Sequence, residues 1–417
     1  MPVKSLKLPK KRNEYENSKS IGSRMVNPKI LLRPPRVLFI LFLKAIVGLI
    51  PKDHKLVLFG AWFGQKYADN TMYMYEYCLK KKDVSATWFT KNRAVYNYLR
   101  ERKMPVVFSG TAKGLFTQMR ANMLVSTVDY GDFNTYLLSG CTLLDLGHGY
   151  AIKYNSDKDT ETLYQRFFRR LIHINVNHYA CAPNPYLVKM ADGQIQLPLN
   201  RIIYANMARS DVFFDDNLYD NRNERIDRMI NHKYTIVYAP THRAQGKIPV
   251  EINKILDLGK IQELCEKHNA VFIVKKHFYH RNEKTDLTSY NNIFDISSMD
   301  VETQSLLSKT DLLISDYSAI YIDFLATDRP IILYPYDYEY FSSQIRELFL
   351  KLEDNHVGYK PQTPEALNHY IEVVLKEKKD DAHRDGREEL RKRYYNPAQE
   401  LGNSRQYLYK KMLELLR

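Results

Sequence analysis

Leu312-Leu313-Ile314-Ser315-Asp316-Tyr317-Ser318-Ala319-Ile320-Tyr321-Ile322-Asp323-Phe324-Leu325-Ala326 is the stretch that decides the fold. Three aliphatic residues without alternation read as a short strand buried on both faces, which is the habit of a parallel sheet. Ser315–Ser318 then breaks the run with polar groups, and a helix is predicted over Ile320–Ala326. Ile331–Tyr334 follows as the next strand. The same alternation extends upstream, with strands at Thr235–Tyr238, Val271–Lys275 and Ile293–Ile296 and helices at Ile252–Lys267 and Val301–Ser308. A chain that alternates strand and helix in this way builds a parallel sheet covered by helices.

Further upstream the rhythm appears a second time. Leu56–Phe59, Thr87–Thr90, Val106–Phe108, Met123–Val128, Thr142–Leu146 and Tyr179–Ala182 read as strands, with helices such as Met72–Lys80 and Ala94–Arg102 between them. The looser Leu199–Asn231, dense in Asn and Asp over Asp215–Asn223, separates the two series. Thr363–Lys379 and Ser404–Leu416 read as closing helices. With 417 residues and about 150 per domain, two Rossmann-like α/β domains with a cleft between them are expected. The boundaries fall at 1–54 for a basic arm and helix, 55–220 for the first domain and 221–417 for the second.

Composition narrows the classes. Apolar residues at 44% and charged residues at 26% belong to a folded globular chain, not a disordered or collagen-like one. No apolar run reaches the roughly 18 residues of a spanning helix. The net charge of +14 is concentrated at one end, since residues 1–36 hold ten Lys or Arg and only Glu14 and Glu16. Behind this arm comes Val37–Ile50, apolar except for Lys44 and closed by Pro51. A helix lying in the lipid headgroup layer, with Lys44 snorkelling and the arm drawn to anionic lipid, is the expectation. No RRM, KH, zinc-finger or helix-turn-helix pattern is present, so nucleic acid is not the expected partner. Cys78, Cys141, Cys181 and Cys265 form no CxxC pair and read as free thiols.

Ligands of open parallel sheets bind at the carboxyl ends of strands. Here those ends carry Gly147-His148-Gly149 with Lys153, Pro240-Thr241-His242-Arg243, Lys275-Lys276-His277, and Ser315-Asp316-Tyr317-Ser318. Four such ends rich in His, Lys, Arg and hydroxyls point to one site for a phosphorylated ligand. His148 between glycines suits a general base acting on a hydroxyl. Arg243 beside Thr241 suits bidentate phosphate binding, His277 a phosphate contact, and the helix start after Ser318 an anion. Ser318 and Asp316 equally suit helix caps. His277 and His280 lack the spacing of HExxH, so no metal site is expected there. With no GxxxxGK[ST] and no GxGxxG, the P-loop and classical dinucleotide classes lack support.

Asp69-Asn70 ahead of Tyr73-Met74-Tyr75-Glu76-Tyr77, then His148-Gly149 with Lys153, Tyr238–Arg243, Lys275-Lys276-His277, Ser315–Ser318 with Asp323-Phe324, and Pro330-Ile331-Ile332 leading to Tyr334 and Asp337 form an ordered set. This set resembles the CDP-glycerol glycerophosphotransferase family, whose members build or prime teichoic acids and related capsular polymers. The resemblance runs from about Lys55 to the C-terminal helices. It implies a GT-B-like fold and peripheral attachment to the cytoplasmic face of the bacterial membrane. It also implies a CDP-glycerol donor held mostly by the second domain, a lipid-linked or polyol-phosphate acceptor, and release of CMP. By the same resemblance His148 is the catalytic base and His277 acts with it. Gly149, Lys153, Thr241, Arg243, Lys275, Ser315, Asp316 and Ser318 contact substrate. Apart from the resemblance, the sequence requires no cofactor; it shows no dedicated carboxylate cage, and Mg²⁺ would assist through the pyrophosphate. Tyr150-Ala151 stand where the family usually has Thr-Pro, and His242 and Ala319 where it often has Trp and Ser. CDP-ribitol as donor, a nucleotide-sugar glycosyltransferase of the same fold, and an inactive membrane-bound scaffold are the alternatives.

Overall fold

The computed structural model describes residues 34–153, 163–190, 197–218, 224–283 and 285–417. The basic arm lies outside the described residues except for its last few positions. Seven parallel strands form the first sheet: β1 (Asp53–Phe59), β2 (Ser85–Thr90), β3 (Val106–Phe108), β4 (Ala121–Ser126), β5 (Cys141–Asp145), β6 (Val176–Ala182) and β7 (Ile202–Tyr204). Their order is β3-β2-β1-β4-β5-β6-β7. Five more form the second sheet: β8 (Tyr234–Ala239), β9 (Ala270–Val274), β10 (Ile293–Asp295), β11 (Leu312–Ser315) and β12 (Ile331–Leu333), in the order β10-β9-β8-β11-β12. Both orders reverse direction between the first and fourth strand of the series, the doubly wound arrangement that opens a crevice at that switch point. Two such sheets in succession are the GT-B-like architecture expected from the sequence.

Unbroken apolar runs suit these strands because both faces of each sheet are covered. In the second sheet Ile236, Tyr238, Phe272, Val274, Leu312 and Ile314 pack into one core, and Val237, Ala239, Val271, Ile273 and Leu313 into the core on the opposite face. In the first sheet Val57, Phe59, Trp88, Met123 and Val125 likewise oppose Leu58, Phe89, Val107, Leu124 and Leu143. Each of the aliphatic side chains contributes about 1.5–3 kcal/mol by leaving water.

Three features depart from the expected organisation. β7 lies inside the stretch read as a connection. Helix α1 (Pro34–Leu49) turns Lys44 inward, where the ammonium donates to the Leu138 carbonyl and burial lowers its pKa to about 8. It therefore does not snorkel; Ile40, Lys44 and Val47 face the protein, and the opposite face shows Leu38, Phe39, Phe42 and Leu49, the last 83% exposed. The closing helix Ser404–Leu416 belongs with the first domain rather than with 221–417. Its Leu408, Tyr409 and Met412 join the first-domain core, and Tyr409 Oη donates to Asp83 at 2.9 Å.

Candidate functional site

β5 ends on Asp145, whose carboxylate accepts the Gly147 N–H at 3.0 Å. Gly147 adopts φ +66°, a left-handed turn that glycine makes without steric cost. The turn brings out His148, which is exposed, with its ring against Trp62 at 5.2 Å. His148 Nδ1 lies 3.1 Å from the Thr127 carbonyl oxygen. A carbonyl only accepts, so Nδ1 carries the proton and Nε2 remains as the basic nitrogen.

This loop is clamped from two sides. Helix α2 (Asp69–Leu79) begins with the Asp69-Asn70 pair, and Asn70 Nδ2 donates to the Gly147 carbonyl at 2.9 Å. Arg209, from the turn Ala208–Phe213 that follows β7, is buried and spans both domains. Its Nη1 donates to Asp69 and to the His148 carbonyl, each at 2.8 Å. Its Nε and Nη2 grip both oxygens of Asp323 in the second domain at 3.0 and 2.8 Å. Burial pushes the Asp323 carboxyl up to about 6 even with the guanidinium pulling it down. A second tie between domains runs from Tyr73 Oη to Glu302 at 2.6 Å. Tyr150 is buried against Tyr394 and Tyr395 at 6.1 and 5.3 Å.

In the second domain the crevice lies beyond β8 and β11. Arg243 sits there, but only 2% exposed. Its Nε and Nη2 hold Asp337 at 2.7 and 2.9 Å, Nη2 also meets Asp316 at 2.9 Å, and Nη1 donates to the Thr241 carbonyl at 2.6 Å. The fork expected to grip phosphate is closed on two carboxylates. Asp316 is likewise spent internally, accepting the N–H groups of Thr241 at 2.8 Å and Tyr317 at 2.6 Å. Ser315, the last residue of β11, is buried and donates to the Ala239 carbonyl at 2.9 Å. These three side chains brace the two loops against each other, and the substrate-contact role expected of them has no support in this geometry. Thr241 is buried with its hydroxyl unpartnered. Ser318 is half-buried at the start of helix α3 (Ile320–Phe324), its Oγ accepting the Ile320 N–H at 3.4 Å. That helix has only five residues, too short for a developed dipole.

The basic groups that influence one another electrostatically here come from both domains. Burial lowers the Lys153 pKa to about 7, with Arg346 and Arg243 adding to it and Asp316 opposing. Burial takes His242 to about 4, helped by Lys153 and Arg346, and takes His277 to about 2, helped by His242 and Lys66. Lys66 and Lys275 are lowered as well, by burial first, and Lys66 further lowers Lys275. The His242 and His277 rings lie 4.7 Å apart, and Tyr279 stacks on His277 at 5.0 Å. First-domain Lys66 and Lys153 thus disfavour protonation of second-domain His242 and His277, Lys66 disfavours that of Lys275, and a bound polyanion would relieve all of them. His277 is neutral as it stands, so it meets a phosphate as a hydrogen-bond donor. Lys276 points elsewhere, donating to the Glu283 carbonyl at 2.7 Å, and His280 pairs with Glu283 at 2.6 Å, so His277 and His280 diverge.

Of the residues that sequence reading placed together, Lys153 and His277 lie within electrostatic reach of His242, and Lys275 and His277 within reach of Lys66, while His148 and Gly149 sit in the first-domain loop held by Arg209. Lys66, Arg209 and Arg346 escaped that reading. Each stands alone in the chain with no motif of its own, and only the fold assembles them.

A family model described as CDP-glycerol:poly(glycerophosphate) glycerophosphotransferase matches residues 42–414. The chain is 27% identical over 361 residues to a teichoic acid poly(glycerol phosphate) polymerase of Bacillus spizizenii, covering 80% of this chain and 86% of that one. It is 22% identical to a teichoic acid glycerol-phosphate transferase of Staphylococcus aureus, covering 77% and 87%. Among solved structures, the wall teichoic acid polymerase TagF superposes with a TM-score of 0.71 at 20% identity, covering 93% of this chain and 96% of that one.

Proposed function

Because the chain belongs to the CDP-glycerol:poly(glycerophosphate) glycerophosphotransferase family, we propose that it transfers glycerol phosphate from CDP-glycerol to a hydroxyl of a lipid-linked or polymeric acceptor in teichoic acid synthesis. Two observations support the reading: His148 is held with Nε2 as its basic nitrogen, and Lys66, Lys153, His242, Lys275 and His277 from both domains gather into one basic cluster. His148 Nε2 takes the acceptor proton while the acceptor oxygen forms a bond to the β-phosphorus. The bond from that phosphorus to the bridging oxygen breaks, and CMP leaves with the electron pair. Lys66, Lys153 and Lys275 stabilise the charge on the phosphates, with His242 and His277 donating hydrogen bonds. Gly149 and Ser318 line the approach. Arg243, Asp316, Ser315 and Thr241 hold the second-domain loops in place. Mg²⁺, if bound with the donor, would serve as a counter-ion of its pyrophosphate.

The outward face of α1, with Phe42 61% exposed and the basic arm just before it, supports attachment to the cytoplasmic face of the membrane, where a lipid-linked acceptor is held. No described helix is long and apolar enough to cross a membrane.

Nucleotide release distinguishes the readings. Purified protein is given CDP-glycerol, CDP-ribitol or UDP-sugars with a membrane-lipid extract. CMP from CDP-glycerol is expected. CMP from CDP-ribitol alone would change the polyol, and a nucleoside diphosphate from a UDP-sugar would make the protein a glycosyltransferase. No release from any donor would leave the scaffold.

A further inference from the structure

Away from the crevice, three separate elements bring two imidazoles to one carboxylate. Asp129 lies in the loop after β4, His173 directly after helix Leu163–Ile172, and His178 in β6. Asp129 Oδ1 is 3.3 Å from His173 Nε2 and 3.4 Å from His178 Nε2. All three atoms are shielded from solvent, and beyond the contacts of the two rings with Asp129 none meets a further well-aligned hydrogen-bond partner. The ligand atoms lie within 4.8 Å of one another, and among the described residues this is the group of His, Cys, Asp and Glu side chains able to hold a metal ion.

The contacts count as ion pairs, but both are longer than a closed charge-assisted one. A charge-assisted N–H···O contact closes to about 2.7–2.9 Å. Two protonated rings sharing one oxygen would also repel, with centroids 4.6 Å apart. A shared metal accounts for them directly. Ligands held about 2.0–2.1 Å from a tetrahedral Zn²⁺ stand about 3.3–3.4 Å apart along the tetrahedron edge. Neighbouring ligands of octahedral Mg²⁺ at about 2.0–2.1 Å stand only about 2.9 Å apart. Imidazole nitrogens also suit zinc and not magnesium.

We propose that Asp129 Oδ1, His173 Nε2 and His178 Nε2 bind one Zn²⁺-class divalent ion in tetrahedral geometry, with water as fourth ligand. The ion ties the loop after β4 to β6. The same loop offers the Thr127 carbonyl that orients His148, and it is closed by Asp132, which accepts the N–H groups of Thr127 at 2.8 Å and Phe63 at 2.5 Å. The ion therefore acts as a clip at one loop's remove from the base. The binding claim does not depend on which group the enzyme transfers.

The test uses the untagged full chain, stripped with a chelator and titrated with Zn²⁺ and, separately, Co²⁺. One equivalent of Zn²⁺ is expected to bind and raise the melting temperature, and one Co²⁺ to give the intense visible absorption of a tetrahedral site. Asp129→Ala and His178→Ala, with far-UV circular dichroism to verify folding, should bind Zn²⁺ at least tenfold more weakly and lose the Co²⁺ band. Substoichiometric binding to the wild-type chain, an octahedral Co²⁺ spectrum, or unchanged affinity in a folded variant would overturn the proposal. If a variant does not fold, stoichiometry and the wild-type Co²⁺ spectrum decide.

Discussion

Replacing Arg209 by Met should separate the two domains' hold on the His148 loop. The guanidinium makes three hydrogen bonds to carboxylates on opposite sides of the domain boundary and a fourth to the His148 carbonyl. Methionine fills the stem volume and makes none of them. Removing one partner from a buried ion pair costs about 3–5 kcal/mol, because the other charge is stranded. At about 2–4 °C per kcal/mol for domains of this size, the melting temperature should fall by about 6–20 °C. The pH dependence has a definite sign. Asp323 is already pushed up to about 6 by burial, and losing its guanidinium raises it further. An unfolded carboxyl titrates near 3.9, so stability is lost as pH rises from about 4 through the folded value. The deficit against wild type should therefore be largest near pH 8 and narrow toward pH 5. Turnover should fall as well, since a misplacement of about 1 Å can cost on the order of 10²-fold in rate. Thermal unfolding between pH 5 and 8 and steady-state CMP release measure both. Melting within about 2 °C of wild type at pH 8, with unchanged kcat, would refute the bridging role.

Lys153, lowered to about 7 by burial, should make donor binding depend on pH. Near pH 6 it is already cationic, and at pH 8 it must take up a proton to meet the pyrophosphate. Calorimetry in buffers of different ionisation enthalpy should show proton uptake that grows from pH 6 to 8 and disappears in Lys153→Met. Arg243→Gln and Asp337→Asn should lower the melting temperature alike and couple in a double-mutant cycle, because each breaks the same brace. A phosphate-binding Arg243 would instead raise KM with stability intact. Leu38→Glu combined with Phe42→Glu should reduce sedimentation with anionic vesicles and leave CMP release toward a soluble acceptor unchanged. Retained sedimentation would assign membrane binding to the arm alone.

The chain announced its sheets more clearly than its contacts. Buried strands such as Val237 and Ile314 are apolar on both faces, and that pattern is local. β7 escaped because three residues, Ile202–Tyr204, at a sheet edge carry little pattern. Helix Arg384–Tyr394 escaped because its sequence is mostly charged and it buries few apolar side chains, Leu390 and Tyr394 among them. The closing helix was legible as a helix, yet amphipathicity does not say which core receives it. At the site, His148 stood out through its flanking glycines and its place after a strand. The partners of Arg243 were not legible because its carboxylates lie 73 and 94 positions away, and nothing local marks them. Lys44 was misread for the same reason, since the carbonyl that draws it inward belongs to Leu138, 94 positions on.

The most direct test of the central claim is a paired measurement on His148→Ala: CDP-glycerol affinity by calorimetry and CMP release with acceptor present. The account predicts donor affinity close to wild type and turnover reduced by about 10²-fold or more, the scale of a lost general base. Turnover near wild type would contradict it, and so would loss of donor binding in a variant that melts at the wild-type temperature.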